Sequence, residues 1–378
     1  MNDSFDDLRP YRDDEIPAAM QRITADELFP RLAAFVYPGL DLERVRAMVR
    51  GYVSVEEFQL QTMKTFVEQV IARSTTGFSV SGLQDLDPAR RYLFVSNHRD
   101  IVLDASFLQY ALYRAGHRTS EVSFGSNLMS SPLVVDVGKA NKMFKLVLGG
   151  TARELYATSS RLSAYIRHAI TVKRESVWIA QRNGRTKDGR DVTDRGIIKM
   201  FRLSAPGNPV DALAALNIVP LSISYEWEPC DVLKALERYR SRQGRYVKQP
   251  GEDLRAIITG VTAPKGEVHL RVGAPLSADD LLPFVALSPG GFNERVAALV
   301  DSQVTANYRL SCNNYIASDL LAGNERHARH YSPVQRDLFH HHYRVACSLV
   351  DVEDPAAFSS IFLGIYANPV AAREESGG

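Results

Sequence analysis

The sequence predicts an α/β fold: a mixed, largely parallel central sheet flanked by helices, with N-terminal and C-terminal helical segments. Short apolar runs typical of buried strands alternate with longer stretches of helical periodicity in the middle of the chain. The two ends show helical periodicity alone. The composition, 45% apolar and 24% charged over 378 residues, is that of a globular protein with a large core. It excludes a disordered or fibrous chain.

The first segment, residues 1–75, is predicted to be helical, with helices between 16 and 73. Thr24 with Glu27 and Ser54 with Glu57 have the spacing of capping boxes. Apolar residues then recur at steps of mostly three or four between 55 and 71. We expect this face to pack on a core; a membrane-facing surface is the alternative.

The middle segment, residues 76–290, is predicted to form the α/β domain. A turn-rich stretch at 74–91 precedes the first predicted strand of this domain, and 239–253 is a predicted loop. Helices are predicted at 103–115 and 151–172, and strands at 92–96, 121–126, 176–180, 218–225, 254–261 and 267–272. The last segment, residues 291–378, returns to helices from about 293 onward.

Charge and cysteine content limit the function classes. The net charge of +1 excludes nucleic-acid binding based on bulk charge, so an anion site requires local clustering of basic residues. The three cysteines are widely spaced and form no CxxC pair, which favours a reducing compartment. The N-terminus has no apolar signal region, and no run approaches about 20 apolar residues. We therefore expect a cytoplasmic protein whose membrane contact, at the inner face, is peripheral.

The first candidate site is the stretch 97–104, at a predicted strand–helix junction. A histidine beside a carboxylate, such as His98 here, makes a general base, because the carboxylate keeps one ring nitrogen protonated and leaves the other free to take a proton. The alternative is a capping segment. If the helix starts near Asp100, that residue caps the N–H groups of 102 and 103, and Asp104 is left to hold His98. A kinase catalytic loop is excluded, since Ala105 stands where its asparagine belongs.

The second candidate site is a basic loop after the strand at 176–180. Between Arg182 and Arg202 there are seven basic and three acidic residues, with glycines between them. Arginine side chains and loop N–H groups suit a phosphate oxyanion. The alternative is a solvated charged loop. A third stretch, 218–226, is an apolar strand that taken alone is structural.

The order and spacing of these stretches resemble the glycerophospholipid acyltransferase superfamily, which includes glycerol-3-phosphate and lysophosphatidate acyltransferases. Residues 96–104, 138–149, 182–189 and 218–226 are similar to its four sequence blocks, and the resemblance spans about residues 78–275. Three features differ from the family pattern. One extra residue separates His98 from Asp104, Leu146 or Val147 stands near the arginine of the second block, and the glutamate–glycine pair of the third block is missing.

The resemblance implies transfer of a fatty acyl group from acyl-CoA or acyl carrier protein to a hydroxyl of glycerol-3-phosphate or a lysophospholipid, at a membrane surface. His98 would be the general base and Asp104 would orient it. Four basic residues would hold the acceptor phosphate: Arg99, Lys142, Arg185 and Lys187. No metal or other cofactor is implied. The alternatives are a non-catalytic lipid-binding or scaffold protein on the same fold, and an acyltransferase with an amine or non-phosphorylated alcohol as acceptor.

Histidines near the C-terminus offer a weaker indication. His327 and His330 are three residues apart, so they could meet one metal ion on a helix. No carboxylate nearby completes a known ligand pattern, and we predict no metal site there.

Overall fold

The computed structural model describes residues 5–377 apart from 130, 148, 206 and 245. In the part of the chain that it describes, seven strands form one sheet in the order β1-β7-β6-β2-β5-β3-β4. The strands are β1 Thr75–Ser81, β2 Leu93–Ser96, β3 Glu121–Gly125, β4 Met143–Leu146, β5 Val177–Ala180, β6 Ile218–Tyr225 and β7 Gly266–Val272.

Most neighbouring strands are parallel. β2 runs parallel to β5 and β6, and β3 runs parallel to β4 and β5. β7 is antiparallel to β6, and β1 is parallel to β7, so these two strands run opposite to the other five. The mixed, largely parallel sheet predicted from the sequence is confirmed.

Helices surround the sheet and occupy both ends of the chain. A π-helical turn, Phe58–Met63, joins α4 to α5. The helices are α1 Ile16–Ala25, α2 Phe29–Val36, α3 Leu42–Arg50, α4 Val55–Glu57, α5 Lys64–Ser74, α6 Leu103–Arg114, α7 Pro132–Ala140, α8 Ala152–Thr171, α9 Arg195–Arg202, α10 Pro209–Ala214, α11 Asp231–Arg240, α12 Glu252–Thr262, α13 Ala278–Leu281, α14 Pro289–Asn307, α15 Cys312–Ala322, α16 Pro333–Ser348 and α17 Pro355–Gly377.

The core has two main layers, one on each face of the sheet. Leu93 and Val95 of β2 point to the face covered by α8, α9 and α14. Phe94, between them, points to the face covered by α5 and α6. This alternation is expected for a strand whose two faces are both buried.

The end segments form two further apolar clusters. The first joins α1, α2, α3 and α7. This cluster also contains Val55 and Phe58, from the start of the predicted apolar face at 55–71. Val67 and Val70, from the end of that face, pack against the sheet. The face is therefore part of the core. The second cluster joins α11, α15, α16 and α17. The division of the chain at 75/76 and 290/291 stays a prediction.

The last helix, α17, is long and apolar enough by length and composition alone to cross a membrane. Such a helix can equally be the core helix of a soluble protein. Here Phe362 and Tyr366 lie buried in the C-terminal cluster. The Tyr366 carbonyl accepts a hydrogen bond from Asn314 Nδ2, 2.8 Å away. These contacts describe a packed core helix.

Several predicted elements differ in the structure. The stretch 74–91, predicted as turns, contains β1, because Ser79 and Ser81 alternate with Phe78 and Val80 in an edge strand with one polar face. The sequence analysis also missed β4. The predicted strand 254–261 is wrong: it lies in α12.

Two capping predictions had different outcomes. Ser54 Oγ accepts a hydrogen bond from the Glu57 N–H at 3.2 Å, so this predicted cap is present. The cap predicted at Thr24 is wrong. Thr24 lies near the end of α1, where its hydroxyl donates to the Met20 carbonyl.

Candidate active site

The candidate site lies at the carboxyl edge of the parallel strands. Ser96, the last residue of β2, pairs with Ala180 of β5 and Leu221 of β6. The loops that follow β2 and β5 therefore leave the sheet side by side. This edge is where open α/β sheets place their functional residues.

His98 is held by a buried carboxylate. Its Nδ1 lies 2.9 Å from Asp104 Oδ2. The same oxygen accepts the backbone N–H groups of Arg99 at 2.6 Å and Asp100 at 2.9 Å. An ionised carboxylate only accepts, so the proton of the neutral imidazole is on Nδ1 and the lone pair is on Nε2. This arrangement can accept a proton from a hydroxyl group.

Asp100 has a different task. Its Oδ1 accepts hydrogen bonds from the N–H groups of Val102 at 2.9 Å and Leu103 at 2.8 Å. The Asp100 side chain thereby caps the start of α6. Its Oδ2 is buried and has no hydrogen-bond partner among the described residues. Burial, and then the neighbouring Asp104 charge, raises the pKa of Asp100. The contacts of the two carboxylates are those expected from the sequence, and their roles stay a prediction.

Arg99 is fully buried; both terminal nitrogens of its guanidinium have partners, while its Nε has none among the described residues. It forms ion pairs with Asp191 at 2.5 Å and Glu228 at 3.2 Å, and it donates to the Gly189 carbonyl. Its guanidinium also lies over the Tyr308 ring. Arg99 thus fastens the turn at His98 to the surrounding loops, and the structure gives it no free face toward a phosphate.

The basic loop is fastened to the His98 turn. The Thr186 N–H donates to the His98 carbonyl at 2.8 Å. Asn97 Nδ2 donates to Asp191 Oδ2 at 3.0 Å and to the Ile223 carbonyl at 3.0 Å. Sequence reasoning gave no role to Asn97 or Asp191. The sequence places Asn97 next to His98 and Asp191 among basic residues. These neighbours are the only sequence features that could have marked the two residues as part of the site.

The far end of the same loop rests on α17. Gly189 has φ +76°, and a Cβ built there would lie 2.2 Å from the Ile365 carbonyl oxygen. Asn368 Nδ2 donates to the neighbouring Asp188 carbonyl at 2.6 Å. The C-terminal helix therefore supports the basic loop that borders His98.

A hollow of about 570 Å³ opens beside His98. One part of its wall is apolar, and the rest is polar, with four Lys or Arg and two acidic side chains among its residues. The His98 ring meets the edge of the Trp178 ring in this wall, with ring centres 5.8 Å apart. The apolar lining is Ile101, Val102, Val122, Phe124, Leu128, Met143, Leu146 and Trp178, and the charged lining is Arg182, Arg185, Lys187, Lys248, Glu237 and Asp253.

Two of the predicted phosphate-binding residues line this hollow. Arg185 is about nine-tenths buried, and its Nη1 has no hydrogen-bond partner among the described residues. Lys187 forms an ion pair with Glu237. Arg185 therefore places positive charge in the hollow that His98 borders, while the charge of Lys187 is balanced by Glu237, which lines the same hollow.

The structure does not bring Lys142 to this hollow. Lys142 Nζ pairs with Glu175 at 3.1 Å, in a separate hollow at the amino edge of the sheet. The second sequence block instead contributes Met143 and Leu146 to the apolar wall beside His98.

The described residues contain no group of three or more His, Cys, Asp or Glu side chains placed to hold a metal ion. His330 stacks on Tyr315, with ring centres 4.0 Å apart. His327 Nε2 lies 4.0 Å from Glu374.

No family model matches the chain, and no curated protein matches it. Among solved structures, the chain is similar to the 1-acyl-sn-glycerophosphate (LPA) acyltransferase PlsC from Thermotoga maritima. The identity is 13% and the TM-score is 0.36, over 77% of this chain and 95% of that chain.

Proposed function

We propose that this protein is an O-acyltransferase that moves a fatty acyl group from an acyl thioester to a hydroxyl of glycerol-3-phosphate or a lysophospholipid. The observation that carries the proposal is the His98–Asp104 pair at the border of a hollow whose wall is apolar in one part and polar in the rest. A fatty acyl chain suits the apolar part, and a phosphate suits the Lys and Arg side chains of the polar part. The four sequence blocks that resemble acyltransferases support the same reaction.

In the proposed mechanism, His98 Nε2 takes the proton of the acceptor hydroxyl as its oxygen attacks the thioester carbonyl carbon. The tetrahedral adduct then collapses, the carbon–sulfur bond breaks, and the departing sulfur takes the proton from His98. Asp104 stabilises the imidazolium that forms between these steps. The donor is acyl-CoA or acyl carrier protein.

Arg185 and Lys187 would hold the acceptor phosphate. An arginine fork binds a phosphate through two parallel hydrogen bonds and so fixes its orientation. Fixing the phosphate also holds the hydroxyl near His98. Positioning of this kind lowers a barrier by about 7–11 kcal/mol in favourable cases. Arg99 and Lys142, which are paired elsewhere, have no part in this proposal.

A lipid acceptor requires contact with a membrane surface, and the segment beside the hollow suits it. Lys248 lines the hollow. The neighbouring Val247, Leu254 and Ile258 are each more than half exposed, and Arg255 is exposed between the last two. Exposed apolar and basic side chains together favour the interface of an anionic bilayer. Sedimentation with anionic vesicles tests this contact, and a protein left in the supernatant at low salt contradicts it.

The test of the function is thiol release by the purified protein from acyl-CoA and from acyl carrier protein, with a panel of acceptors. We expect phosphorylated glycerol acceptors to work best. Arg185→Ala should raise their KM, and Arg185→Lys should restore binding only in part, because the fork is lost. A non-phosphorylated acceptor that works better would favour an acyltransferase whose natural acceptor is an amine or a non-phosphorylated alcohol. No transfer with any pair would favour a lipid-binding or scaffold protein.

A further inference from the structure

Tyr225 contacts the carboxylate that holds His98. It is the last residue of β6, and its hydroxyl donates to Asp104 Oδ1 at 2.7 Å. Both side chains are buried. The contact therefore ties the end of a central strand to the start of α6, where Asp104 is the second residue.

The two oxygens of Asp104 have different surroundings. Oδ2 accepts from His98 Nδ1 and from the N–H groups of Arg99 and Asp100. Oδ1 accepts from Tyr225, its one hydrogen-bond partner among the described residues. Without that hydroxyl, Oδ1 would be a buried charged acceptor left unpaired, which is a costly state. The carboxylate would relieve it by rotating, and rotation would move Oδ2 away from His98.

Tyr225 is suited to act as a permanent donor. Burial, and then the charge of Asp104, raises its pKa well above the usual 10. The raised pKa favours the protonated phenol, which is the form that donates to Asp104. Its hydroxyl donates to Oδ1 of Asp104, while His98 donates to Oδ2 of the same carboxylate.

We propose that Tyr225 is a positioning residue that acts through Asp104: it holds the carboxylate in the plane that keeps the His98 proton on Nδ1 and leaves Nε2 free. This role rests on the proposed acyl transfer for its effect on turnover, but its effect on the His98 proton does not.

The experiment compares Tyr225→Phe with Tyr165→Phe. Tyr165 is a matched control, because its buried hydroxyl donates to the carboxylate of Glu121 at the opposite edge of the sheet. Imidazole ¹⁵N chemical shifts report which ring nitrogen carries the proton, and the spectrum of His98→Ala identifies the His98 signals. Steady-state kinetics and thermal melts are measured on the same proteins.

We expect wild type and Tyr165→Phe to show His98 protonated on Nδ1, and Tyr225→Phe to show a mixture of both tautomers. The kcat of Tyr225→Phe should fall about ten-fold, with KM unchanged for donor and acceptor. In an Asp104→Ala background, which leaves Tyr225 no side chain to hold, the same change should have no further effect on kcat. A merely structural role would lower the melting temperature alone.

Two results would overturn the proposal: a single Nδ1–H tautomer with normal kcat in Tyr225→Phe, or an undiminished loss of kcat from Tyr225→Phe in the Asp104→Ala background. Failure of the acyl-transfer proposal looks different. In that case no variant turns over any substrate pair, and the tautomer measurement still decides whether Tyr225 positions Asp104.

Discussion

Replacing Asp104 by asparagine removes one charge and very little volume. The amide oxygen should occupy the position of Oδ2, because three N–H donors converge there from His98, Arg99 and Asp100. The amide nitrogen then faces Tyr225, whose hydroxyl can turn to accept. The fold should survive, while His98 loses the anion that stabilises its charged form.

The size of the effect follows from the geometry. With Nδ1 and Oδ2 2.9 Å apart, the charge centres of imidazolium and carboxylate lie about 4 Å apart. At an effective dielectric constant of about 20, their attraction is about 4 kcal/mol. Loss of that attraction in the transition state lowers kcat on the order of 10³-fold. Since the hydrogen bonds to Asp104 weaken but persist, the free energy of unfolding should fall by no more than about 2 kcal/mol.

Asp100→Ala is the matched comparison, because both carboxylates are buried on the same turn. It removes the acceptor for the Val102 and Leu103 N–H groups, which costs about 0.5–2 kcal/mol of stability. The loss should lie at the lower end, because it also removes a buried oxygen without a partner. Turnover should fall much less than in Asp104→Asn. Thermal melts and kcat of both variants are the assay, and an essential Asp100 with a dispensable Asp104 would refute the assignment.

Two further predictions concern stability. Gly184 and Gly189 both have left-handed backbone conformations, but only Gly189 faces backbone, at Ile365. Gly184→Ala should lower the free energy of unfolding by about 1–2 kcal/mol, and Gly189→Ala by about twice that, as measured by denaturant unfolding. Equal losses in the two variants would contradict the packing of the basic loop on α17. Burial lowers the pKa of Lys265 from its ordinary value of 10.5 to about 8. Between these two pH values the unfolded chain binds more protons than the folded protein. The free energy of unfolding of wild type, relative to that of Lys265→Met, should therefore rise by about 3 kcal/mol as pH increases through this range. A difference that does not change with pH would contradict this prediction.

The parts of the fold that the sequence predicted well have strong local patterns. The run 218–225 is apolar throughout and is β6, buried along its whole length. β1 was missed because half of its residues are small and polar, which is also typical of turns. The stretch 254–261 carries two conflicting signals: Leu254, Ile257, Ile258 and Val261 have the spacing of a helix face, while the β-branched residues favour a strand. The structure has a helix there, α12, in which Gly260 lies against Asp100, where a Cβ would come within 2.0 Å of Oδ2.

The candidate site was predictable where partners are close in sequence. His98, Asp100 and Asp104 belong to one turn, so capping rules could assign their contacts. Tyr225 and Asp191 come from other parts of the chain, and no local pattern marks them. The burial of Arg99 also depends on distant residues, because Asp191 and Glu228 neutralise it from two loops.

The central claim is that His98 is the base of an acyl transfer, and single-site replacement tests it most directly. His98→Ala is compared with His117→Ala, since His117 lies outside the hollow beside His98. Product formation from a radiolabelled acyl thioester and glycerol-3-phosphate or a lysophospholipid is measured for both, with melting curves to show that each is folded. We expect His117→Ala to match wild type and folded His98→Ala to lose about 10²–10⁴-fold in turnover. Near-normal turnover in folded His98→Ala would contradict the mechanism.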